Sequence, residues 1–294
     1  MTLLALLQAS PALTIGLTVV IGLLVGSFLN VVIYRLPVMM ERQWKSECRV
    51  ILELDNAEAS VKPEQKLSLS YPNSHCPSCN TAIKPWQNIP VISYLLLKGQ
   101  CANCKSSISI RYPIIEAVSG LMSGILAWQL GASPQLLMAL FFTWCLISLT
   151  MIDADTQLLP DQITLPLLWA GLLINSFSYF VPLHDALWGA IGGYSSLWSV
   201  YWLFKILTGK EGMGYGDFKL LAALGAWTGW QYLLVIILLS SLAGAVVGSI
   251  ILMLHKKGRN TAIPFGPYLA VAGWIALLWG DRIITAYLSF AGIK

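Results

Sequence analysis

Residues 13–34 read LTIGLTVVIGLLVGSFLNVVIY, a run without a single charged side chain. As a helix this run would measure about 33 Å, enough to cross the hydrocarbon core of a bilayer. No water is available there to satisfy exposed backbone groups, so the run is predicted to be a transmembrane helix. It is longer than the apolar core of a signal peptide and no basic residue precedes it, so we do not expect it to be cleaved off.

The whole chain has a membrane protein's composition. Of its 294 residues, 56% are hydrophobic and 11% are charged, whereas soluble domains carry about 25% charged residues. We therefore predict an all-α polytopic membrane protein of about eight transmembrane helices, in contact with the lipid bilayer, and exclude a soluble domain. The seven further spans are Tyr112–Leu130, Pro134–Ile152, Ile163–Phe180, Ala186–Leu207, Phe218–Trp227, Tyr232–Leu254 and Pro264–Gly280.

Three parts follow from these spans. Residues 1–34 hold the first helix, residues 35–111 form a polar loop domain, and residues 112–294 form a seven-helix membrane domain. The Phe218–Trp227 span is short, so this segment is either a re-entrant helix or one end of a longer span. Charges at Glu41–Gln65 favour a solvated helix or loop.

Basic residues predict the orientation in the membrane. The loop 35–111 holds ten Lys and Arg, and residues 205–219 and 256–259 hold three each. Only Arg282 and Lys294 lie on the opposite side of an eight-span topology. Because basic loops stay in the cytoplasm, we predict a cytoplasmic polar loop and two external termini.

Two acidic segments fall on the cytoplasmic side of this topology. Asp153 and Asp155 end the third span, and Asp217 begins the sixth. Acidic residues at such positions are costly and are often functional. Two carboxyl groups in a partly dehydrated site cannot both ionise easily, so one can take a proton from water while the other polarises a peptide carbonyl. The alternative is structural: the acids cap helices, and Asp161 is a candidate N-cap for the fourth span.

Glycines 212, 214 and 216 precede Asp217. They allow another chain to approach the backbone closely, as a substrate strand would. The segment lacks the Lys-Ser/Thr ending of a phosphate loop and no strand precedes it, so nucleotide binding is not predicted. No nucleic-acid partner is predicted either.

Four cysteines form two CxxC pairs, Cys76 with Cys79 and Cys101 with Cys104. Four thiolates at this spacing are typical of a closed, structural zinc site. Two disulfides or a redox motif are the alternatives, and a reducing cytoplasm disfavours disulfides. Such a zinc ion has no open position, so it would hold the loop together rather than catalyse hydrolysis. Cys48 and Cys145 stand outside this pattern.

Several motifs, taken in order, resemble the type IV prepilin peptidases among the GxGD membrane aspartic proteases. They are GSFLNVVIYRLP at 26–37, the paired cysteines, IDAD ending at Asp155, LPD ending at Asp161, GYGD ending at Asp217 and IPFGPY at 263–268. The resemblance covers nearly the whole chain.

The resemblance implies that Asp153 and Asp217 are the catalytic pair and that residues 112–294 are the catalytic domain. It implies cleavage of the basic leader of type IV prepilins and pseudopilins at the cytoplasmic face of a bacterial inner membrane. It further implies N-methylation of the new amino terminus from S-adenosylmethionine, for which no residue is derived.

Several residues outside these motifs are interpreted as structural, and two alternative functions are open. Asn30, Arg35 and Glu116 are interpreted as structural, with Arg35 marking the membrane interface, and Gly99 as a turn residue. An ion-coupled transporter would require acids deep in the spans, and a non-catalytic assembly factor would tolerate loss of both aspartates. The acids that could attract a basic leader are Asp155, Asp161 and Glu211.

Overall fold

The computed structural model describes residues 3–52, 67–255 and 264–292. All regular elements among the described residues are helices, and the only β-pairing among them is two isolated bridges. The all-α prediction is therefore confirmed. The helices are α1 (Leu3–Ala9), α2 (Pro11–Ile51), α3 (Ile92–Leu96), α4 (Arg111–Leu130), α5 (Pro134–Thr156), α6 (Asp161–Asn175), α7 (Leu183–Thr208), α8 (Tyr215–Thr228), α9 (Leu233–His255) and α10 (Gly266–Phe290).

Every predicted span overlaps a helix in the described part of the chain, although α6 ends at Asn175, before the predicted Phe180, and α10 continues past the predicted Gly280 to Phe290. Five helical segments are long and apolar enough to cross a membrane, those of α2, α4, α5, α9 and α10. Helices α6 and α8 have only 15 and 14 residues. The chain is therefore a multi-pass helical membrane protein, and the count of eight crossings stays a prediction.

The chain divides into two compact units, Met1–Ala132 and Ser133–Lys294. In the first unit α2 and α4 pack closely because small residues line their interface. A Cβ atom on Gly26 would lie 2.8 Å from the Cα atom of Glu116, and Ser119 Oγ donates to the carbonyl of Gly22 at 2.7 Å. Asn30 Nδ2 of α2 donates to the carbonyl of Tyr112 of α4 at 3.2 Å, in keeping with the structural role expected of Asn30.

The polar loop begins as a helix. Helix α2 continues past Tyr34 to Ile51, and residues 53–65 of the predicted solvated segment Glu41–Gln65 lie outside the described residues. Arg35 is buried, and its guanidinium donates to the carbonyls of Ser68 and Pro72 at 2.9 and 2.6 Å. These hydrogen bonds hold the returning loop and support the structural role expected of Arg35, and its position at the membrane interface stays a prediction.

Helix α8 is the centre of the second unit. It packs against α6, α7 and α10, and every residue from Leu220 to Thr228 is buried. Glycines allow this packing: a Cβ atom on Gly189 of α7 would clash with the backbone of Gly225 of α8. Asn175, at the end of α6, donates to the carbonyls of Ala226 and Trp227 at 2.9 and 3.3 Å.

The second unit begins at Ser133, between α4 and α5. Helix α4 belongs to the first unit because it packs along α2. The sequence-based parts 1–34, 35–111 and 112–294 follow polarity rather than packing, and they stay a prediction of domain organisation.

Candidate active site and metal centre

Asp153 lies in the last turn of α5 and is only 5% exposed. Its Oδ2 atom accepts a hydrogen bond of 2.9 Å from the backbone N–H of Gly266, the first residue of α10. A Cβ atom at Gly266 would lie 2.6 Å from the same oxygen, so only glycine lets the backbone come this close. Helices α5 and α10 thereby fix the position of the carboxyl group.

Asp217 is the third residue of α8 and is 8% exposed. Its backbone N–H donates to the carbonyl of Gly214 at 3.3 Å, which closes the glycine-rich turn. Its carboxyl group lies within electrostatic range of Asp153. The structure thus brings the two sequence-predicted aspartates into one buried site of the second unit.

Leu159 connects the two halves of this site. A Cβ atom on Gly216 would lie 2.8 Å from Leu159 Cβ, and one on Gly266 would lie 3.2 Å from Leu159 Cδ2. The turn before α6 therefore packs against the starts of both α8 and α10. Larger residues at either glycine would push these starts away from Leu159.

Two further acidic residues, Asp161 and Glu211, form ion pairs with lysines. Lys219 Nζ bonds both carboxylate oxygens of Asp161 at 2.8 Å, and Lys205 Nζ bonds Glu211 Oε1 at 2.8 Å. The Lys205 hydrogen bond lowers the pKa of Glu211. The N-cap prediction for Asp161 is wrong, because Pro160 is the N-cap of α6 and Asp161 joins the first turns of α6 and α8.

The four predicted zinc ligands lie together in the first unit. All four sulfur atoms fall within 4.8 Å of one another, and Cys76 Sγ is 3.8 Å from Cys104 Sγ. Sulfur atoms about 2.3 Å from a tetrahedral zinc ion are separated by about 3.8 Å. All six cysteines are free thiols, so the disulfide alternative does not hold. The cluster fits a tetrahedral zinc ion.

The two CxxC pairs have the same backbone hydrogen bonds and the same turn conformation. The N–H groups of Cys76 and Cys101 donate to the carbonyls of Thr81 and Ser106. The residues after each pair, Asn80 and Lys105, have φ values of 53° and 61°, which turn the chain back. Each CxxC pair is therefore a tight knuckle that directs both thiols to one point.

Polar neighbours favour the ionised form of one thiol. Cys79 Sγ lies 3.3 Å from Thr81 Oγ1 and accepts from Asn103 Nδ2 at 3.7 Å. The Thr81 side chain is the main cause that lowers the pKa of Cys79 to about 6. A metal binds the thiolate form of cysteine, so this environment suits a ligand.

Sequence reasoning missed two backbone contacts. Gly266 stands in the quoted IPFGPY motif, but no role was derived for it, and only the fold places it against Asp153. Glu116 of α4 accepts a hydrogen bond of 2.8 Å from the backbone N–H of Val91. Val91 is therefore a partner of Glu116 in the structural role that the sequence predicted. Gly99 has a φ of 69°, so its interpretation as a turn residue is confirmed.

Fold and sites define a multi-pass membrane protein that carries a buried aspartate pair and a four-thiol cluster. Residues 20–130 match the bacterial peptidase A24 N-terminal domain, and residues 140–249 match the type IV leader peptidase family. The chain belongs to the type IV leader peptidase family, as the sequence motifs predicted.

The relatives cover the chain nearly end to end, and each carries the description prepilin leader peptidase/N-methyltransferase. The protein of Stutzerimonas stutzeri is 57% identical over 291 residues, 99% of both chains. That of Pseudomonas aeruginosa is 56% identical over 295 residues, the whole of both chains. That of Neisseria gonorrhoeae is 53% identical over 269 residues, 92% of both chains. None of the solved structures matches this chain significantly.

Proposed function

We propose that this protein is a prepilin leader peptidase that also N-methylates the new amino terminus, acting in a bacterial inner membrane. The observation that supports the peptidase activity is the buried pair of Asp153, at the end of α5, and Asp217, at the start of α8. Family membership disfavours the transporter and assembly-factor alternatives.

The two aspartates act on one water molecule. One carboxylate takes a proton from the water, whose oxygen attacks the scissile carbonyl carbon, while the other, protonated aspartate donates its hydrogen to the carbonyl oxygen. The resulting diol collapses, the C–N bond breaks, and the leaving amine takes up a proton. The Gly266 N–H holds the Asp153 carboxyl in place during these steps.

A groove beside this pair is suited to the apolar helix of a prepilin. It has a volume of about 450 Å³ and lies between α7 and α9, lined by Leu197, Val200 and Ile237 among others. Met213 of the glycine-rich turn and Phe265, next to Gly266, also line it and connect it in sequence to the two aspartate-bearing regions of the site. A helix bound there would present its leader junction to the aspartates, with the basic leader in the cytoplasm.

Three acids could attract the basic leader of the substrate: Asp155, which is exposed on α5, Asp161 and Glu211. Asp161 and Glu211 form ion pairs with Lys219 and Lys205. Their ion pairs reduce the negative field that a basic leader would meet. Charge reversal of Asp155 is expected to weaken the preference for basic leaders.

Two cofactors belong to the proposal. Zinc, held by Cys76, Cys79, Cys101 and Cys104, would stabilise the loop without taking part in hydrolysis. S-adenosylmethionine would supply the methyl group, in keeping with the N-methyltransferase description of the relatives, and no residue is assigned to it.

The aspartate pair is tested with a prepilin and membranes that contain the wild type, Asp153→Asn or Asp217→Asn. Leader removal is followed by the shift in gel mobility. Both variants are expected to lose cleavage, because each removes a group that exchanges a proton with the reacting atoms. Glu47→Gln, which neutralises an exposed acid of α2 outside the candidate site, is the control and is expected to cleave. Near wild-type cleavage by either pair variant overturns the assignment.

A further inference from the structure

Residues 85–96, the segment between the two cysteine knuckles, expose several large apolar side chains. Trp86, Leu95 and Leu96 are 63%, 67% and 78% exposed, and Ile89 and Ile92 are exposed as well. The segment consists of a short 3₁₀ turn, Pro85–Asn88, and helix α3. Contiguous apolar surface of this kind marks an interaction site rather than a solvated loop.

A hydrogen bond places this segment at the depth of a membrane-spanning helix. The N–H of Val91 donates to Glu116 Oε2 at 2.8 Å, and Glu116 is 8% exposed. Glu116 lies five residues into α4, which begins at Arg111. At 1.5 Å per residue, the bond is about 7.5 Å along the axis from Arg111. Elements that lie in the headgroup–acyl boundary are buried about 5–10 Å.

An apolar groove joins the segment to the sides of two spanning helices. Pro90, Val91 and Ile92 line it together with residues of α2 and α4, and its volume is about 660 Å³. Along α4 the groove extends from Ala117 to Trp128, about 16 Å of helix. Because α2 and α4 are apolar enough to cross the membrane, hydrocarbon is the medium that this groove faces.

Cations stand at the two ends of the apolar segment. Lys84 precedes it, and its Nζ atom lies 5.2 Å from the centre of the Trp86 ring. Lys98 follows α3 and is exposed. Trp and Lys side chains are typical of the membrane–water interface, where the apolar parts are buried and the charges reach the headgroups.

We propose that residues 85–96 lie in the headgroup–acyl boundary of the bilayer, on the side of the membrane that holds the cysteine knuckles, with phospholipid acyl chains filling the groove along α2 and α4. The Val91–Glu116 hydrogen bond fixes the segment to α4 at that depth. The knuckles then connect a membrane-seated segment to the rest of the loop. This inference is independent of the proposed peptidase activity.

The depth is measured with a nitroxide spin label in the full chain, reconstituted with zinc in vesicles of phosphatidylethanolamine and phosphatidylglycerol. Leu95→Cys and Leu96→Cys carry the label in a Cys48→Ser, Cys145→Ala background. Both positions are exposed, so the label replaces no packed side chain. The native Cys48, which is exposed on α2 and lies outside the four-thiol cluster, carries the label in the matched control, a Cys145→Ala chain. The background chain without an introduced cysteine sets the labelling baseline.

Collision of each label with oxygen, which concentrates in the acyl region, is compared with collision with a water-soluble nickel complex. The oxygen-to-nickel ratio is expected to be severalfold higher at positions 95 and 96 than at position 48. An equal ratio at all three positions means a solvated loop and overturns the proposal. Labels that become shielded from nickel only when a prepilin is added mean a protein-binding surface, which also overturns it.

Discussion

At the scale of single residues, the candidate active site depends on a backbone amide. Gly266 donates to Asp153 Oδ2 across 113 positions of sequence, and a Cβ atom there would touch the accepting oxygen. The contact orients one carboxyl of the pair without adding a charge. Positioning of this kind matters to a proton-transfer site, since displacements of about 1 Å can slow a reaction roughly 100-fold.

Gly266→Ala is expected to slow leader cleavage by roughly 100-fold, because the new methyl group displaces the Asp153 carboxyl from the N–H that holds it. Cleavage of a prepilin by membranes with known amounts of the variant measures this effect. Gly16→Ala is the control, since a Cβ atom there meets nothing within 4 Å. Wild-type cleavage by Gly266→Ala would show that the contact is dispensable.

At the scale of helices, the buried α8 determines where Asp217 lies. Its 14 residues measure about 21 Å, less than the hydrocarbon thickness of about 30 Å. A helix of this length cannot cross the core alone, and α6, α7 and α10 surround it. Helix α8 is thus packed inside the second unit with Asp217 buried in its first turn, and its crossing of the membrane stays a prediction.

Gly189→Ala is expected to destabilise the protein by about 1–3 kcal/mol, because its methyl group would overlap the Gly225 carbonyl at the α7–α8 crossing. Gly192→Ala, on the same helix, meets only the end of the Leu233 side chain at 3.1 Å and is expected to unfold near the wild-type temperature. Thermal unfolding in detergent, followed by tryptophan fluorescence, compares the two. Equal midpoints for both variants would rule out this account of the crossing.

At the scale of the whole molecule, two compact units carry the two sites separately. The four thiols belong to Met1–Ala132, and both aspartates belong to Ser133–Lys294. A closed four-thiolate site stabilises a fold but offers no position for substrate. Loss of metal should therefore affect the loop first and leave the aspartate site chemically intact.

The purified chain is expected to contain one zinc ion, and Cys76→Ser is expected to lose it, because three thiolates no longer close the tetrahedron. Elemental analysis gives the metal content, and limited proteolysis of the loop reports its stability. Cys48→Ser removes an exposed thiol outside the cluster and should keep the zinc. A wild-type chain without zinc after growth in zinc-supplemented medium contradicts the assignment.

The eight-crossing topology predicts that both termini lie outside. Alkaline phosphatase, which is active only after export, is expected to be active when fused after Lys294 and inactive when fused after Ser78. If only the five longest apolar helices cross, the termini lie on opposite sides and the Lys294 fusion is inactive. The alkaline phosphatase activity of the Lys294 fusion therefore distinguishes the eight-crossing topology from the five-crossing topology.

The sequence by itself determined the elements and the candidate chemistry. Uncharged runs are local features, so every span appeared as a helix, and CxxC pairs specify knuckles within a few residues. Motif order supplied the family and, with it, the aspartate pair. The continuation of α2 to Ile51 was only partly predicted, because a charged, solvated segment is compatible with a helix and with a loop.

Only the tertiary structure decided which backbone and side-chain groups meet. Gly266 reaches Asp153, Arg35 binds the carbonyls of the returning loop, and Lys219 pairs with Asp161. Each contact joins residues at least 33 positions apart, and each depends on how helices pack rather than on local composition. Glycine and arginine have many structural uses, so their partners follow from the packed fold and not from the residue type.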